Sequence, residues 1–412
     1  MGSGRRKAAA VNLLVYLNPQ WRDTVSKQTA ATSKIQITSK SCVLMLAFEL
    51  GEESWLLGFS AGFGEPVSRK KIPSRDTEAL EREIVRAKSR IGLPPETPVV
   101  SCYEAGRDGF WLHRYLEAHG ITNYVIDSAS IEVNRRKKRA KTDRLDVNGL
   151  VDLLARYLAG SAKPPFAIVT VPPVEDEDLR HLGRELKLVK KDRTRISNRI
   201  KGLLANQGLV IDRKQDMQQQ VERLRLWNGE KIPRFLRDRL SRYVADYAYH
   251  TARIKAIEQE RKVLLREGGK ESLEKVWRLL WLRGVGIETA WCYGMEFFGW
   301  REFKNRRQVG SLAGLTPTPH DSGTQQRERG IGKDGNRWVR GVAIEQAWAW
   351  LRFQPESELS RWYHERFGKG SKRLRKIGIV ALARKLLIAL WRYVETGLLP
   401  EGAVLSPSVR LP

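Results

Sequence analysis

Five side chains in this 412-residue chain have the types and spacing for phosphodiester chemistry: the carboxylates Glu49, Glu104, Asp143 and Asp146, and the hydroxyl of Ser322. Glu49 and Glu104 each close an apolar run of strand length, while Asp143 and Asp146 are three residues apart, which puts both on one face of a helix. Four carboxylates meeting at one place repel strongly unless a divalent cation neutralises them, and hard oxygen donors suit Mg²⁺ or Mn²⁺. One or two such ions can orient a phosphodiester, activate the attacking oxygen and stabilise the leaving one. Taken singly, each acid reads as a solvated charge, and Asp143 and Asp146 also as first-turn residues favoured by the helix dipole. Their weight comes from occurring as a set.

Ser322 lies in a Gly-rich loop, 316–336, with Arg327, Arg329, Lys333, Arg337 and Arg340 in or just beyond it. A serine hydroxyl among cations could attack a phosphodiester, the charges steadying the backbone and the pentacovalent transition state. On composition alone a serine in such a loop is more often a turn residue. Upstream, Arg135, Arg136, Lys137, Lys138, Arg139 and Lys141 directly precede the two aspartates and would draw phosphates beside them, the plain alternative being a solvated charged loop. Gly284 and Gly286 separate two helical stretches as in a helix-hairpin-helix element, whose backbone N–H groups can cradle a phosphate; a simple helix-helix turn fits the same residues.

The net charge of +27 requires a polyanionic partner. Because the cations are spread along the chain, nucleic acid is favoured over a membrane surface. Cys42, Cys102 and Cys292 are unclustered, which argues against a zinc site or a disulfide framework and fits a reducing cytoplasm. The apolar run 377–394 is interrupted by Arg384, Lys385 and Arg392 and reads as a buried helix.

These residues need elements to position them. Residues 1–40 form a basic N-terminal extension. Strands are predicted at 43–50, 55–60, 67–72, 98–103 and 123–126, and helices at 110–118, 142–157 and after Ser74, which is taken as the cap of a helix with Leu80, Ile84, Ala87 and Ile91 on its apolar face. That order is the one expected of an α/β RNase H-like domain spanning 41–165. A Pro-containing linker, 163–173, leads to a helical segment, 166–270. Its two heptad seams are Leu179, Leu182, Leu186, Val189, Arg193, Ile196, Ile200, Leu203 and Leu240, Tyr243, Tyr247, His250, Ile254, Ile257, Arg261, Leu264. They predict an antiparallel hairpin or an oligomerising coiled coil, with Arg193, His250 and Arg261 interrupting the seams. A mainly α domain, 271–400, and a tail, 401–412, complete the chain.

The motifs Lys141-Thr142-Asp143-Arg144-Leu145-Asp146, Tyr103-Glu104-Ala105-Gly106, Gly284-Val285-Gly286, Leu312-Ala313-Gly314-Leu315-Thr316-Pro317, Ser322-Gly323 and Gly332-Lys333-Asp334-Gly335-Asn336, in this order, resemble the DEDD-type insertion-sequence transposases, the bridge-RNA-guided recombinases of the one-hundred-and-ten group. The resemblance runs from Val43 to about Leu399. It implies a RuvC-like domain, a coiled coil and a C-terminal transposase domain in series. It further implies Mg²⁺ on Glu49, Glu104, Asp143 and Asp146, a transient link from Ser322 to a DNA 5′ phosphate, and homodimers or homotetramers. Donor and target double-stranded DNA and an element-encoded guide RNA would be the partners, in the bacterial cytoplasm at the nucleoid. The chain carries Glu49 where the family usually has Asp. Two rival readings are a RuvC-like endonuclease, in which metal-activated water attacks and Ser322 is a turn residue, and a non-catalytic nucleic-acid-binding scaffold.

Overall fold

The computed structural model describes residues 43–131, 143–161, 164–322, 325–332 and 335–407. The basic extension, the 135–141 cluster and Lys333 lie outside the described residues. The chain divides into two compact units, one running to Val171 and the other starting at Pro172.

The first unit is a mixed sheet covered on both faces. Strands β1 (Leu44–Leu50), β2 (Ser54–Ser60), β3 (Ser68–Pro73), β4 (Val99–Glu104) and β5 (Thr122–Ile126) lie in the order β3-β2-β1-β4-β5. β1 and β2 are antiparallel, as are β2 and β3, whereas β4 runs parallel to β1 and β5 parallel to β4. β1 is apolar at successive positions because both its sides are buried. Leu44, Leu46 and Phe48 pack with helices α1 (Thr77–Ile91) and α2 (Trp111–Ala118), and Met45 and Ala47 pack with helix α3 (Asp143–Leu158). Gly58 of β2 lets α3 settle closely, since a Cβ there would stand 3.2 Å from Val151 and 3.3 Å from Val147. The edge strand β3 carries exposed Lys70 and Lys71, which discourage further strand pairing.

The cap of α1 is Asp76, not Ser74. Asp76 accepts from the Ala79 N–H at 2.8 Å, while the Ser74 hydroxyl donates to the Glu52 carbonyl at 2.7 Å and ties the β1–β2 turn. Arg75 between them takes a left-handed φ of 63°, which turns the chain from strand to helix.

The second unit begins with a long hairpin of α4 (Val174–Ala205) and α6 (Arg234–Glu267), joined through the short α5 (Met217–Arg223). The helices are antiparallel: Leu186 and Val189 meet Ile254 and Ile257, while Ile196, Ile200 and Leu204 meet Leu240 and Val244. The buried row departs from the predicted seams near their ends, where Leu204, Val244 and Leu265 replace Leu203, Tyr243 and Leu264 as buried residues. A 3.6-residue turn drifts against a strict heptad, so the row slips by one position. Two predicted interruptions are also absorbed. Arg193 lies 5.9 Å from the ring centre of Tyr247, and Arg261, only 1% exposed, donates to Glu288 at 3.3 Å and to the Ile287 carbonyl at 3.2 Å.

The hairpin's open end continues into the C-terminal core. Leu179 and Leu265 pack in one cluster with residues of α7 (Glu271–Leu280), α8 (Ile287–Tyr293), α10 (Arg337–Phe353) and α12 (Lys372–Thr396). Two shorter helices, α9 (Arg306–Leu312) and α11 (Glu358–Tyr363), lie in the same unit. Leu382, Leu386, Leu387 and Leu390 bury one side of α12, and no described helix is long and apolar enough to cross a membrane.

A buried ionic cluster joins α4 to the π-helical turn Gly294–Phe298. The Glu296 carboxylate accepts from Arg184 at 2.8 and 3.0 Å and from Arg180 at 3.2 Å. Burial alone would raise its pKa, but the Arg184 hydrogen bonds and the Arg180 charge hold it below the ordinary carboxylate value. A depressed folded-state pKa supplies stability that is present above the unfolded value and lost as pH falls through the folded one. Glu296→Gln is expected to cost about 3–5 kcal/mol at neutral pH, because it strands Arg180 in the interior. Thermal melts between pH 7 and 3 check this: the variant should lose less stability than the parent below pH 4.5, where the unfolded parent's carboxylate takes up a proton that the folded one still refuses.

Candidate active site

β1 and β4 deliver two of the predicted acids together. Their parallel register pairs Phe48 with Tyr103, so Glu49 and Glu104 leave the sheet on adjacent strands, about 4.8 Å apart. Strand alternation puts both on the face of Met45, Ala47, Val100 and Cys102, the face that α3 covers. Both are half-buried, and both line one cleft of about 320 Å³ with Phe48, Tyr103 and the loop 105–109.

Within that cleft Arg107 pairs with Glu52 at 2.9 Å, and Arg75 holds Asp108 at 3.1 Å. Arg107 and Asp108 are not among the residues expected from sequence. Their signal is a glycine-flanked charged pair directly after the strand that ends in Glu104. Cys102, two residues before Glu104, is no nucleophile: burial, then the Glu104 charge, pushes its thiol up, and its Sγ donates to the Leu150 carbonyl at 3.7 Å.

The other two acids lie at the start of α3. Val147, Leu150, Val151 and Leu154 are its buried row against the sheet, and Asp143 and Asp146 precede Val147 and Leu150 by four residues each. By helical position both aspartates therefore extend that row by one turn. Asp146 is half-buried and does not line the cleft; the side chain of Asp143 is outside the described residues. Among the described residues no three His, Cys, Asp or Glu side chains are gathered to hold a metal. Two adjacent carboxylates in one cleft are nevertheless hard-oxygen donors of the kind Mg²⁺ takes, with the start of α3 on their face of the sheet.

Ser322 belongs to the second unit and sits on a strand, not in the loop expected from its sequence. β6 (Pro317–Ser322) and β7 (Gln325–Ile331) form an antiparallel ribbon in which Ser322 pairs with Gln325, the last pair before the turn. The serine thus stands at the turn end of the ribbon. Arg327 and Arg329 are on β7, with Arg327 opposite His320 and Arg329 opposite Thr318.

The base of this ribbon explains the glycines around it. Gly332 N–H donates to the Thr316 carbonyl at 2.8 Å, and Asn336 N–H donates to the Leu312 carbonyl at 2.8 Å while its side chain caps α10. These bonds bring the backbone of Gly314 against Gly335, and Arg340 lies beside them. Gly314 also has φ of 64°, and a Cβ on it would stand 2.9 Å from the Gly332 carbonyl oxygen. Gly314→Ala is expected to cost about 2 kcal/mol or more through left-handed strain and overpacking. Denaturant melts of the variant against the parent measure this loss.

Arg337 is exposed on the first turn of α10, and Arg340 is half-buried one turn on. Gly284 and Gly286 form a tight turn between α7 and α8. Gly284 has φ of 87°, and a Cβ there would meet Phe353 at 2.6 Å. Its carbonyl accepts from Gln346 at 3.1 Å, and the neighbouring Arg283 carbonyl accepts from Gln354 at 2.8 Å. The turn is thereby locked onto α10, and Gly284 is required there for packing, whereas a Cβ on Gly286 would meet nothing within 4 Å.

A mixed-sheet unit with an acidic cleft and a helical unit bearing a serine-tipped ribbon are compatible with an enzyme that cuts and rejoins DNA. Comparison with known proteins makes that class specific. Residues 277–364, which include the ribbon, match the family model described as "Transposase IS116/IS110/IS902 family". The chain is 38% identical over 379 residues to the "Putative transposase y4rJ" of Sinorhizobium fredii, covering 88% of this chain and 94% of that protein. It is 25% identical over 314 residues to the "Probable family 20 transposase" of Pseudomonas aeruginosa, covering 75% and 88% of the two chains. It is 24% identical over 263 residues to the "Transposase for insertion sequence element IS1328" of Yersinia enterocolitica, covering 63% and 73%. The chain belongs to the IS110/IS116 family of insertion-sequence transposases.

Proposed function

We propose that this transposase is an RNA-guided DNA recombinase that joins an RNase H-like, RuvC-like acidic domain to a serine nucleophile. The observation that carries the reading is the parallel β1–β4 register, which sends Glu49 and Glu104 side by side into one cleft on the face covered by the helix of Asp143 and Asp146. Those four acids would hold Mg²⁺ or Mn²⁺, which would orient the scissile phosphate and stabilise charge on the leaving oxygen. Glu49 has one more methylene than the aspartate usual in the family, and as the last residue but one of β1 it remains at the cleft wall.

In the proposed reaction the Ser322 hydroxyl oxygen forms a bond to phosphorus, the bond from phosphorus to the 3′ oxygen breaks, and a 3′ hydroxyl leaves. The strand is then held as a 5′-phosphoserine. Attack by the 3′ hydroxyl of a second strand reverses the step and returns the serine hydroxyl. Bond energy is conserved, which suits joining of donor to target DNA and distinguishes this route from hydrolysis. Cations on β7 and at the start of α10 would steady the phosphates. An element-encoded guide RNA would choose the sites by base pairing, and a dimer or tetramer would bring an acidic unit and a ribbon to each strand.

The net charge of +27 supports a large nucleic-acid partner. The test is to purify the protein with its RNA, supply donor and target duplexes with Mg²⁺, and score joined strands before and after RNase treatment. Joined product that disappears with the RNA is expected; joining unaffected by RNase, or hydrolytic nicks alone, contradicts the reading.

A further inference from the structure

The second half of α4 carries a charge pattern that neither its packing nor its dipole explains. From Lys187 to Lys201 it holds seven Lys or Arg residues against one acid, Asp192. Cations favoured by the helix dipole belong in the last turn, where α4 has none. Arg193 turns onto Tyr247, and Lys190 pairs with Glu258 at 2.8 Å and Glu288 at 2.9 Å. Beside Arg199, which is exposed and lies 5.9 Å from the ring centre of Tyr243, the outward row consists of Lys187, Lys191, Thr194, Arg195, Asn198 and Lys201, all exposed.

Four of those six side chains are cationic and the other two can donate hydrogen bonds, so together they suit phosphate oxygens. Arg195 is held by Asp192 at 2.6 Å, but that pair is exposed and worth little against a phosphate. Lys191, Thr194, Arg195 and Asn198, together with Lys190 and Arg199, also line one broad shallow concavity. The row spans about 21 Å, the reach of roughly six successive phosphates of one strand. One end is tied to the serine ribbon's support: Lys187 lies 4.3 Å from the ring centre of Trp338, two residues past the Asn336 that anchors the ribbon's base.

From this we infer that the outward row of α4 is a sequence-independent track for the phosphate backbone of duplex DNA, running from the base of the Ser322 ribbon out along the helical hairpin. The inference rests on the transposase reading and names a further DNA contact outside the acidic cleft and the ribbon. DNA is the partner the family membership supplies, and a row without base-reading geometry fits its uniform backbone. The track would hold the strand flanking the cleavage point.

The test compares the full-length protein with Lys191→Gln/Arg195→Gln/Lys201→Gln, three exposed positions whose replacement leaves the hairpin core untouched. Fluorescence anisotropy would follow binding to a mixed-sequence 40-base-pair duplex, and to a structured RNA of similar length, over a range of salt. Three lost phosphate contacts should reduce the slope of log K against log salt by about 2.7 for DNA, and the loss should be the same for unrelated duplex sequences. An unchanged DNA slope overturns the track. A slope that falls for RNA alone also overturns it, by assigning the row to RNA. Failure of the unaltered protein to bind duplex DNA at all would overturn the transposase reading with it, whereas normal parental binding and an unchanged triple variant would remove the track alone.

Discussion

Ser322→Ala is expected to lose the covalent DNA–protein adduct completely and to slow strand joining by at least about a thousandfold, while DNA affinity stays within a few-fold of the parent. The large effect follows from the proposed role. With no hydroxyl there is no atom to store the phosphodiester bond, and water attacking in its place yields a nick that cannot be resealed. Its place on the ribbon makes the test clean. Ser322 ends β6, opposite Gln325, and alanine is compatible with an extended strand, so the helical core should be undisturbed. Labelled donor duplex, quenched with detergent and run on a denaturing gel, separates the outcomes. Nicks that persist at the parental rate in the variant would move the chemistry to the acidic cleft alone and make the protein an endonuclease.

The second large effect is expected at that cleft. Glu104→Gln keeps shape and volume but removes one negative charge from the pair it forms with Glu49, and with it several kcal/mol of metal-derived transition-state stabilisation. Cleavage should fall on the order of a thousandfold, and more Mg²⁺ should be needed to reach half-maximal rate. Glu49→Asp is the informative companion, since it restores the residue usual in the family and should retain most activity. A Mg²⁺ titration of both variants under single-turnover conditions measures the shift. Parental cleavage by Glu104→Gln at every Mg²⁺ concentration would remove the cleft from the reaction.

How far the sequence disclosed these arrangements depends on which physical signal each element carries. The strands β1 and β4 were legible because both of their faces are buried, so each is a continuous apolar run, and the acids at their ends stand out against it. The cap of α1 was misplaced by two residues, because Ser74 and Asp76 are both good caps and only the tertiary bond from Ser74 to Glu52 separates them. The ribbon that carries Ser322 has the sequence of a loop for a definite reason. Pro-Thr-Pro-His-Asp-Ser and Gln-Gln-Arg-Glu-Arg-Gly-Ile have no apolar face for a period of two to reveal, and two prolines argue against a strand. What makes it a ribbon is remote from its own side chains: close backbone contact between Gly314 and Gly335 clamps its base. The seams of α4 and α6 showed which helices pair, while helical drift moved their end residues by one. Arg261, which breaks the seam in sequence, is the residue that fastens α6 to the start of α8.

Direct mapping of the trapped intermediate tests the central claim most closely. Full-length protein would be reacted with a duplex whose nicked strand cannot be rejoined, in Mg²⁺, then denatured, digested with protease and nuclease, and read by tandem mass spectrometry. The account predicts a nucleotide joined through its 5′ phosphate to Ser322, present with Mg²⁺ and absent when the metal is chelated or Glu104 is replaced by Gln. Cleaved DNA with no modified peptide, or a nucleotide on any other residue, would contradict it.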